Sequence, residues 1–491
     1  MKFKRIFAAA LALCIVGSAA PAAARYAPGS VLTASAEEYS GTCGEDLAWT
    51  LTEDGTLTIS GTGDMYDFSD SSAEMPWYDY RKQITSVIIE EGAANISAEA
   101  FFLCTAVTSA EIPSTVADIG ENAFSTCMLL ETINVSPDNP NYSSLDGVLF
   151  NKDMTILLTY PLGKPDEAYT VPDSVKEIAI KAFWVNQHIT SVTLPDGSTT
   201  IGEAAFYNCK SLTSVDIPES VTDINGFAFS GTAWIEKKRA EDPFVTVNGI
   251  LIDGFACEGD IVIPDTVHTV GGLSFNYNES LTSVEFPANV RKIEYGAFNN
   301  CTELTAIKLA EGAEEIGYAA FISCTALIEV TVPATVSLID AGAFYGCESL
   351  EKITILDPDC DIYDEEFTIC NSESSSKAVF TGTICGYDGS TAQAYAEKYG
   401  YTFVSLGDAP TQDITYGDTN SNGTIEMAGA VLILQSQANP DKYGVSGTDK
   451  DHITAQGMIN ADCSGSGDGV TAKDALAIQK YLLDLITLLE E

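Results

Sequence analysis

Two acidic loops near the C-terminus carry the residue types best suited to chemistry. The first reads Gly417-Asp418-Thr419-Asn420-Ser421-Asn422-Gly423-Thr424-Ile425-Glu426. Side-chain oxygens at loop positions 1, 3 and 5, followed by Gly at 6, match a Ca2+ loop, in which a hard cation gathers oxygen ligands around a sharp turn. Asp418, Asn420 and Asn422 offer side-chain oxygens, Thr424 a backbone carbonyl, and Glu426 a carboxylate, directly or through water. Ile425 would pin the loop to a partner loop. Position 12 calls for a bidentate acid, but Gly429 stands there, so weak Ca2+ binding is expected. The second loop runs from Asp462 to Asp474 and spans 13 residues. That is one more than the usual loop. Asp462 and Asp474 take its ends, while Ser464, Ser466 and Asp468 compete for the middle ligand roles.

These loops need elements to hold them. The first leads into a helical pattern over 430–438. After the second, Ala475, Ile478, Leu482, Leu485 and Leu489 fall on one helical face. A duplicated loop-helix unit with packed helices is therefore expected. Two such loops, each followed by one helix rather than flanked by two, resemble a type I dockerin. The run Ala438-Asn439-Pro440-Asp441-Lys442-Tyr443-Gly444 and residues 474–483 are similar to dockerins of cellulosomal Ruminococcus. The resemblance covers 416–491. It implies a small all-α, EF-hand-like module, two Ca2+ sites, and docking to a cohesin module of a scaffoldin. It places cohesin recognition on Met427, Ala428 and Gln435 in one copy, and on Ala472, Lys473, Gln479 and Lys480 in the other.

The long middle of the chain is a repeat. Nine small-Phe pairs recur, at Ala100-Phe101, Ala123-Phe124, Ala182-Phe183, Ala205-Phe206, Ala228-Phe229, Ser274-Phe275, Ala297-Phe298, Ala320-Phe321 and Ala343-Phe344. Most Phe-to-Phe spacings are 23 residues, and two are 59 and 46. A Pro precedes seven of these Phe by eleven residues, and a Cys follows six of them by three. Leu212, Val215 and Ile217 read as a short strand facing a core, and Pro218 ends it because it cannot donate to a ladder. One such coil cannot bury its apolar set alone, whereas stacked coils can. The two long spacings hold hairpin insertions marked by Asp146-Gly147 and Asn248-Gly249. A hairpin over 50–60 and a helix-strand pair over 390–405 are expected as caps. The pattern L-T-x-V-x-I-P-x-x-V-x-x-I-G-x-x-A-F-x-x-C resembles the BspA-type leucine-rich repeat family. That resemblance implies a mainly β repeat solenoid of ~23-residue coils over 37–405, a role in adhesion and protein binding, and no catalytic residues of its own.

Charge and motifs narrow the function. The 491 residues include 70 acidic and 24 basic ones, a net charge of −46. Nucleic-acid binding needs a basic face, and none is present. Lys2, Lys4 and Arg5 precede an apolar run and two A-x-A sites, so residues 1–36 read as a secretory signal, cleaved after 24 or 36. No later stretch is long and apolar enough to span a bilayer. Residues 406–415 read as a linker. The laddered Cys are expected as small buried thiols in a tight turn; the pairing of Cys43, Cys257, Cys360, Cys370 and Cys385 is open. His188, His268 and His452 share no motif, and no catalytic signature occurs. The outward strand column (Ile88, Glu111, Asn134, Thr193, Asp216, Glu285, Lys308, Thr331, Thr354) contains no aromatic row. Together these features point to a secreted, non-catalytic cellulosome component held at the cell surface through a scaffoldin, with the repeat domain binding a protein, cell-surface or plant-wall ligand. The alternatives are a polysaccharide-degrading hydrolase or a carbohydrate-binding subunit with its site hidden in the repeat.

Overall fold

A computed structural model of the chain describes residues 39–68, 75–372, 378–409, 418–419, 424–444, 453, 457, 461 and 470–483. The expected signal segment, 1–36, and residues 410–415 of the expected linker lie outside them. Met1–Leu304 with Gly317–Cys324 form one compact unit, and Thr305–Ile316 with Thr325–Glu491 form a second.

The first unit opens with three antiparallel strands, Tyr39–Thr42, Asp46–Leu51 and Thr56–Thr62. The last of these pairs in parallel with Ser86–Ile89, where the repeat starts. From there each coil contributes two rungs. The longer rung lies before the proline turn, and its register advances by one coil, as in Ser86 to Ser109 to Thr132 and Ala168 to Ser191 to Ser214. The shorter rung follows that turn, as in Glu177 to Thr200 to Asp223. Strand alternation puts Val87, Ala110 and Ile133 in the core, fully buried, and Glu111 and Asn134 outside.

The small-Phe turn is a third ladder, and its conformation is not apparent from residue types. The residues two before and two after each Phe have positive φ, between 50° and 75°. Seven non-glycine residues hold the earlier position, among them Glu99, Lys181 and Leu273, and seven the later one, among them Leu103, Val185 and Tyr277. Left-handed backbone costs ~1–2 kcal/mol per L-residue, so something must hold it. Alternating hand aims every second N–H along the stack. Lys181 donates to Glu203 O, Phe183 to Ala205 O and Val185 to Tyr207 O, at 3.0, 2.8 and 2.7 Å. The same three donors recur at Leu273, Phe275 and Tyr277.

Inside the turn the Phe rings stack in columns. Trp77, Phe101 and Phe124 form one column, with ring centroids 5.8 and 5.3 Å apart. Tyr160, Phe183, Phe206, Phe229 and Trp234 form the next, at 4.7–5.3 Å. Phe275, Phe298 and Phe321 form a third. The breaks fall at the two insertions. The first insertion is a meander of Tyr142–Leu145, Val148–Asn151 and Ile156–Thr159, whose last strand also pairs in parallel with Glu177–Ile178. The second contains a helix absent from the expected organisation, α1 (Ala233–Glu241), capped by Thr232 Oγ1 on Ile235 N at 3.1 Å. It buries only Trp234 and Ile235, too little for an apolar period to show in sequence. The hairpin Val245–Val247 with Ile250–Asp253 follows, and its second strand pairs with Thr269–Val270.

Asparagine closes the coils that border the insertions. Asn139 Nδ2 donates to Pro113 O and Val116 O, and Asn248 Nδ2 makes the same two bonds to Pro218 O and Val221 O, at 2.8 and 2.9 Å in each case. Each satisfies carbonyls that would otherwise meet a further coil.

In the second unit, Ala306–Lys308, Glu329–Val332, Lys352–Ile355, Thr383–Gly386 and Thr402–Ser405 form a parallel sheet. Glu315–Ile316, Leu338–Ile339 and Asp361–Ile362 form the short ladder. Helix α2 (Thr391–Tyr399) starts at the Ser390 cap and ends at Gly400, whose φ of 73° suits glycine. Residues 424–444 and 470–483 supply α3 (Met427–Ala438) and α4 (Ala472–Leu482).

Candidate functional site

α3 and α4 share one small core. Ala430, Leu432, Ile433, Ile453, Ala461, Ala475, Ala477 and Ile478 are buried together. Ile425 and Val470, the residues two before each helix, pack against that cluster. Of the expected α4 face, Ala475 and Ile478 are buried, but Leu482 is 38% exposed, and Leu485 and Leu489 lie outside the described residues. The helix buries Asp474 and Ala477 instead, so its inward arc is shifted from the one read in sequence.

Of the nine candidate metal ligands, four are described. Asp418 is buried, Thr424 is exposed, and Glu426 is half-buried at the N-cap of α3. Asp474 is fully buried. Its Oδ2 accepts from Thr471 N at 2.8 Å and Thr471 Oγ1 at 3.0 Å, completing a capping box at the start of α4. Gly429 occupies the matching place in α3, which has no side-chain cap. Asn420, Asn422, Asp462, Ser464 and Asp468 lie outside the described residues. Among the described residues, no three His, Cys, Asp or Glu side chains converge on a metal position. The donors present are all oxygens, the class Ca2+ takes.

Of the residues expected to meet a partner, Met427, Ala428, Gln435, Ala472, Lys473 and Lys480 are exposed and Gln479 is half-exposed. The structure adds residues that the sequence reading missed. Val431 and Leu434 are 45% and 41% exposed, and with Met427 they make an apolar stripe at i, i+4 and i+7 on α3. Leu476, 48% exposed, is the α4 counterpart of Val431. The signal was available: α3 reads Met-Ala-Gly-Ala-Val-Leu-Ile-Leu, apolar on all sides rather than on one.

On the repeat, the outward strand column is exposed from Ile88 through Thr331 and buried at Thr354. Its members bond one another, as Asn134 Nδ2 does to Glu111 Oε1 at 2.8 Å. Hydroxyls of the neighbouring Thr column stitch successive coils, Thr108 to Thr85 O and Thr213 to Thr190 O. That column is structural. Trp49, Trp77 and Trp234 are buried.

The described cysteines are all free and buried. Cys127, Cys209, Cys301 and Cys324 donate to the carbonyl of the preceding coil's Phe, at 3.0–3.2 Å. Burial pushes the thiols of Cys104, Cys209 and Cys301 up to about 12. They are packed hydrogen-bond donors rather than nucleophiles.

Two cavities lie where the insertions interrupt the ring columns. One, of about 350 Å3, is bounded by Phe124, Tyr160 and Trp184. The other, of about 370 Å3, lies among α1, Asp253 and Tyr277.

A profile of the BspA type leucine rich repeat region matches residues 77–155, 167–248 and 257–373 in six copies. Over 76 residues the chain is 45% identical to a Ruminococcus flavefaciens xylanase/beta-glucanase, a stretch that covers 16% of this chain and 10% of that protein. Among solved structures it is similar to a chain from the R. flavefaciens third ScaB cohesin in complex with a group 1 dockerin. There the identity is 52%, the coverage 15% of this chain and 95% of that one, and the TM-score 0.15. A leucine-rich repeat protein from Eubacterium ventriosum is 22% identical, covering 70% of this chain and 98% of that one, with a TM-score of 0.30.

Proposed function

Since the chain belongs to the BspA-type leucine-rich repeat family, we propose that it is a secreted, non-catalytic cellulosome component. In this reading residues 416–491 dock to a scaffoldin cohesin in a Ca2+-dependent manner. The repeat presents its surface to a protein or cell-surface ligand. The observation that carries the docking half is the stripe of Met427, Val431 and Leu434 with its counterpart Leu476, apolar side chains that stay exposed beside the buried cluster of the described residues. Exposed apolar rows of this kind mark interaction faces. The R. flavefaciens likeness, 76 residues long, supports a short module shared with a protein of that species. That likeness spans a tenth of the enzyme, so the activity in its name is not carried over. No described helix is long and apolar enough to cross a membrane.

Ca2+ would be held by Asp418, Asn420, Asn422, Thr424 and Glu426 in one loop, and by Asp462, Ser464, Asp468 and Asp474 in the other. Bound there, it would fix the loops against the helix starts. The chain's own residues do the recognising: α3 and α4 offer apolar contacts together with the exposed polar side chains Gln435, Lys473 and Lys480. The test is cohesin capture by the full chain, using a panel of Ruminococcus scaffoldin cohesins. Capture is expected with Ca2+ and lost in EGTA. The pair Val431→Asp and Leu476→Asp is expected to weaken it about thirtyfold or more. Full capture in EGTA, or by the doubly charged variant, would refute docking through this face.

A further inference from the structure

The second insertion builds a site that its position in the repeat alone would not create. The column ending at Trp234 and the column beginning at Phe275 are separated by the cavity of about 370 Å3. Ligand pockets span roughly 300–1,000 Å3. One wall carries a preset polar array. Arg239 Nε and Nη2 bond the two oxygens of Asp253 at 2.8 and 2.6 Å, and Nη1 bonds Glu236 Oε1 at 2.6 Å. The pair is nearly covered, with Arg239 and Asp253 side chains 18% and 10% exposed. Two rings stand outward beside it: Phe255, 56% exposed with Arg239 over its face at 5.3 Å, and Tyr277, 57% exposed. Ser274 also lines the cavity. It takes the place that Ala holds before the other eight repeat Phe residues. It is 4% exposed, and its Oγ has no hydrogen-bond partner among the described residues.

We infer that this cavity binds a neutral sugar unit of an oligosaccharide. The occupant must match three features at once. Exposed rings favour a ligand with a flat apolar face, as a pyranose has. The accessible edges of Arg239, Asp253 and Glu236 call for a ligand rich in donors and acceptors, because a purely apolar one would strip them of water without replacement. Two carboxylates against one guanidinium, in a chain of net charge −46, disfavour an anionic sugar. A cationic ligand is disfavoured because Arg239 already bonds both carboxylates. The inference goes beyond cohesin docking and does not depend on it.

The test is calorimetric titration of the full chain with cellohexaose, xylohexaose and mannohexaose, and with hexagalacturonate as the anionic arm. At least one neutral oligosaccharide is expected to bind. Phe255→Ala and Tyr277→Ala should each weaken that binding about tenfold or more. Both side chains are exposed, so thermal unfolding of these variants should match that of the parent. Binding of none of the three, binding indifferent to both ring substitutions, or preference for hexagalacturonate overturns the inference. Cohesin capture by the same variants is expected to be unchanged, which keeps this outcome separate from the docking one.

Discussion

Phe206→Ala tests whether the ring column is one continuous core or a set of independent turns. Phe206 is fully buried, between Phe183 at 4.7 Å and Phe229 at 5.3 Å, with interplanar angles of 20° and 3°. Truncating a buried Phe to Ala costs ~3–5 kcal/mol, including the cavity left behind. The ring also stacks on both neighbours, and each stacked pair contributes ~0.5–1.5 kcal/mol beyond its burial. This site therefore belongs at the upper end of that range. The backbone cannot collapse to fill the gap, because Phe206 N donates to Ala228 O and its left-handed neighbours Ala204 and Asn208 are bonded to the same next coil. Solenoid stability is close to a sum of coil and interface terms, so the lesion weakens the interfaces on both of its sides. Guanidinium unfolding followed by circular dichroism should show a loss of about 4–5 kcal/mol. The melting temperature should fall on the order of 10 °C. The exposed neighbour Glu203→Gln serves as control and should stay within about 0.5 kcal/mol. A loss below about 1 kcal/mol for Phe206→Ala, or equal effects for the two variants, would refute a shared core through this column.

The laddered thiols should resist alkylation in the native chain and react fully once it is unfolded, as mass spectrometry after iodoacetamide would show. Their folded pKa, about 12 for Cys301, lies above the ordinary thiol value. Stability is therefore fully present below about pH 8.5 and declines as pH rises from there toward about 12, because the unfolded state loses its thiol protons first; a midpoint unchanged between pH 8 and 10.5 would contradict this. Asp474→Ala removes the acceptor of the α4 capping box and should lower the stability of the C-terminal helices by about 1 kcal/mol in EGTA. With Ca2+ present, the loss should be larger if Asp474 is also a ligand, and titration calorimetry of the two states separates the roles.

The spacing of small-Phe pairs, prolines and cysteines was enough to read the coils, because each of those types does one local job that its neighbours in sequence cannot share. Pro218 stops a strand, Phe229 fills a turn, and Cys209 fits beneath a carbonyl. The left-handed positions were invisible. Glu99, Lys181 and Leu273 have no common chemistry, and of the eighteen positions only Gly231, Gly296, Gly342 and Gly346 hint at the conformation. It is imposed by the adjacent coil, which accepts their N–H groups. The exposed Val431, Leu434 and Leu476 went unread for a different reason. An apolar residue is assigned to a core by default, and α3 has more of them than its core can bury.

Residue order therefore decides that this chain forms a repeat solenoid and carries a duplicated acidic loop-helix unit, since both follow from periods short enough to be read along one strand of text. The oxygen-rich set proposed as Ca2+ ligands belongs to the same level: Asp418, Asn420 and Asn422 alternate along the sequence. Where the solenoid is interrupted, the outcome belongs to the tertiary structure. Arg239, Asp253, Ser274 and Tyr277 are separated by up to 38 positions. They meet because an insertion holds two coils apart, and the space left between the ring columns is a property of their stacking that no single coil encodes.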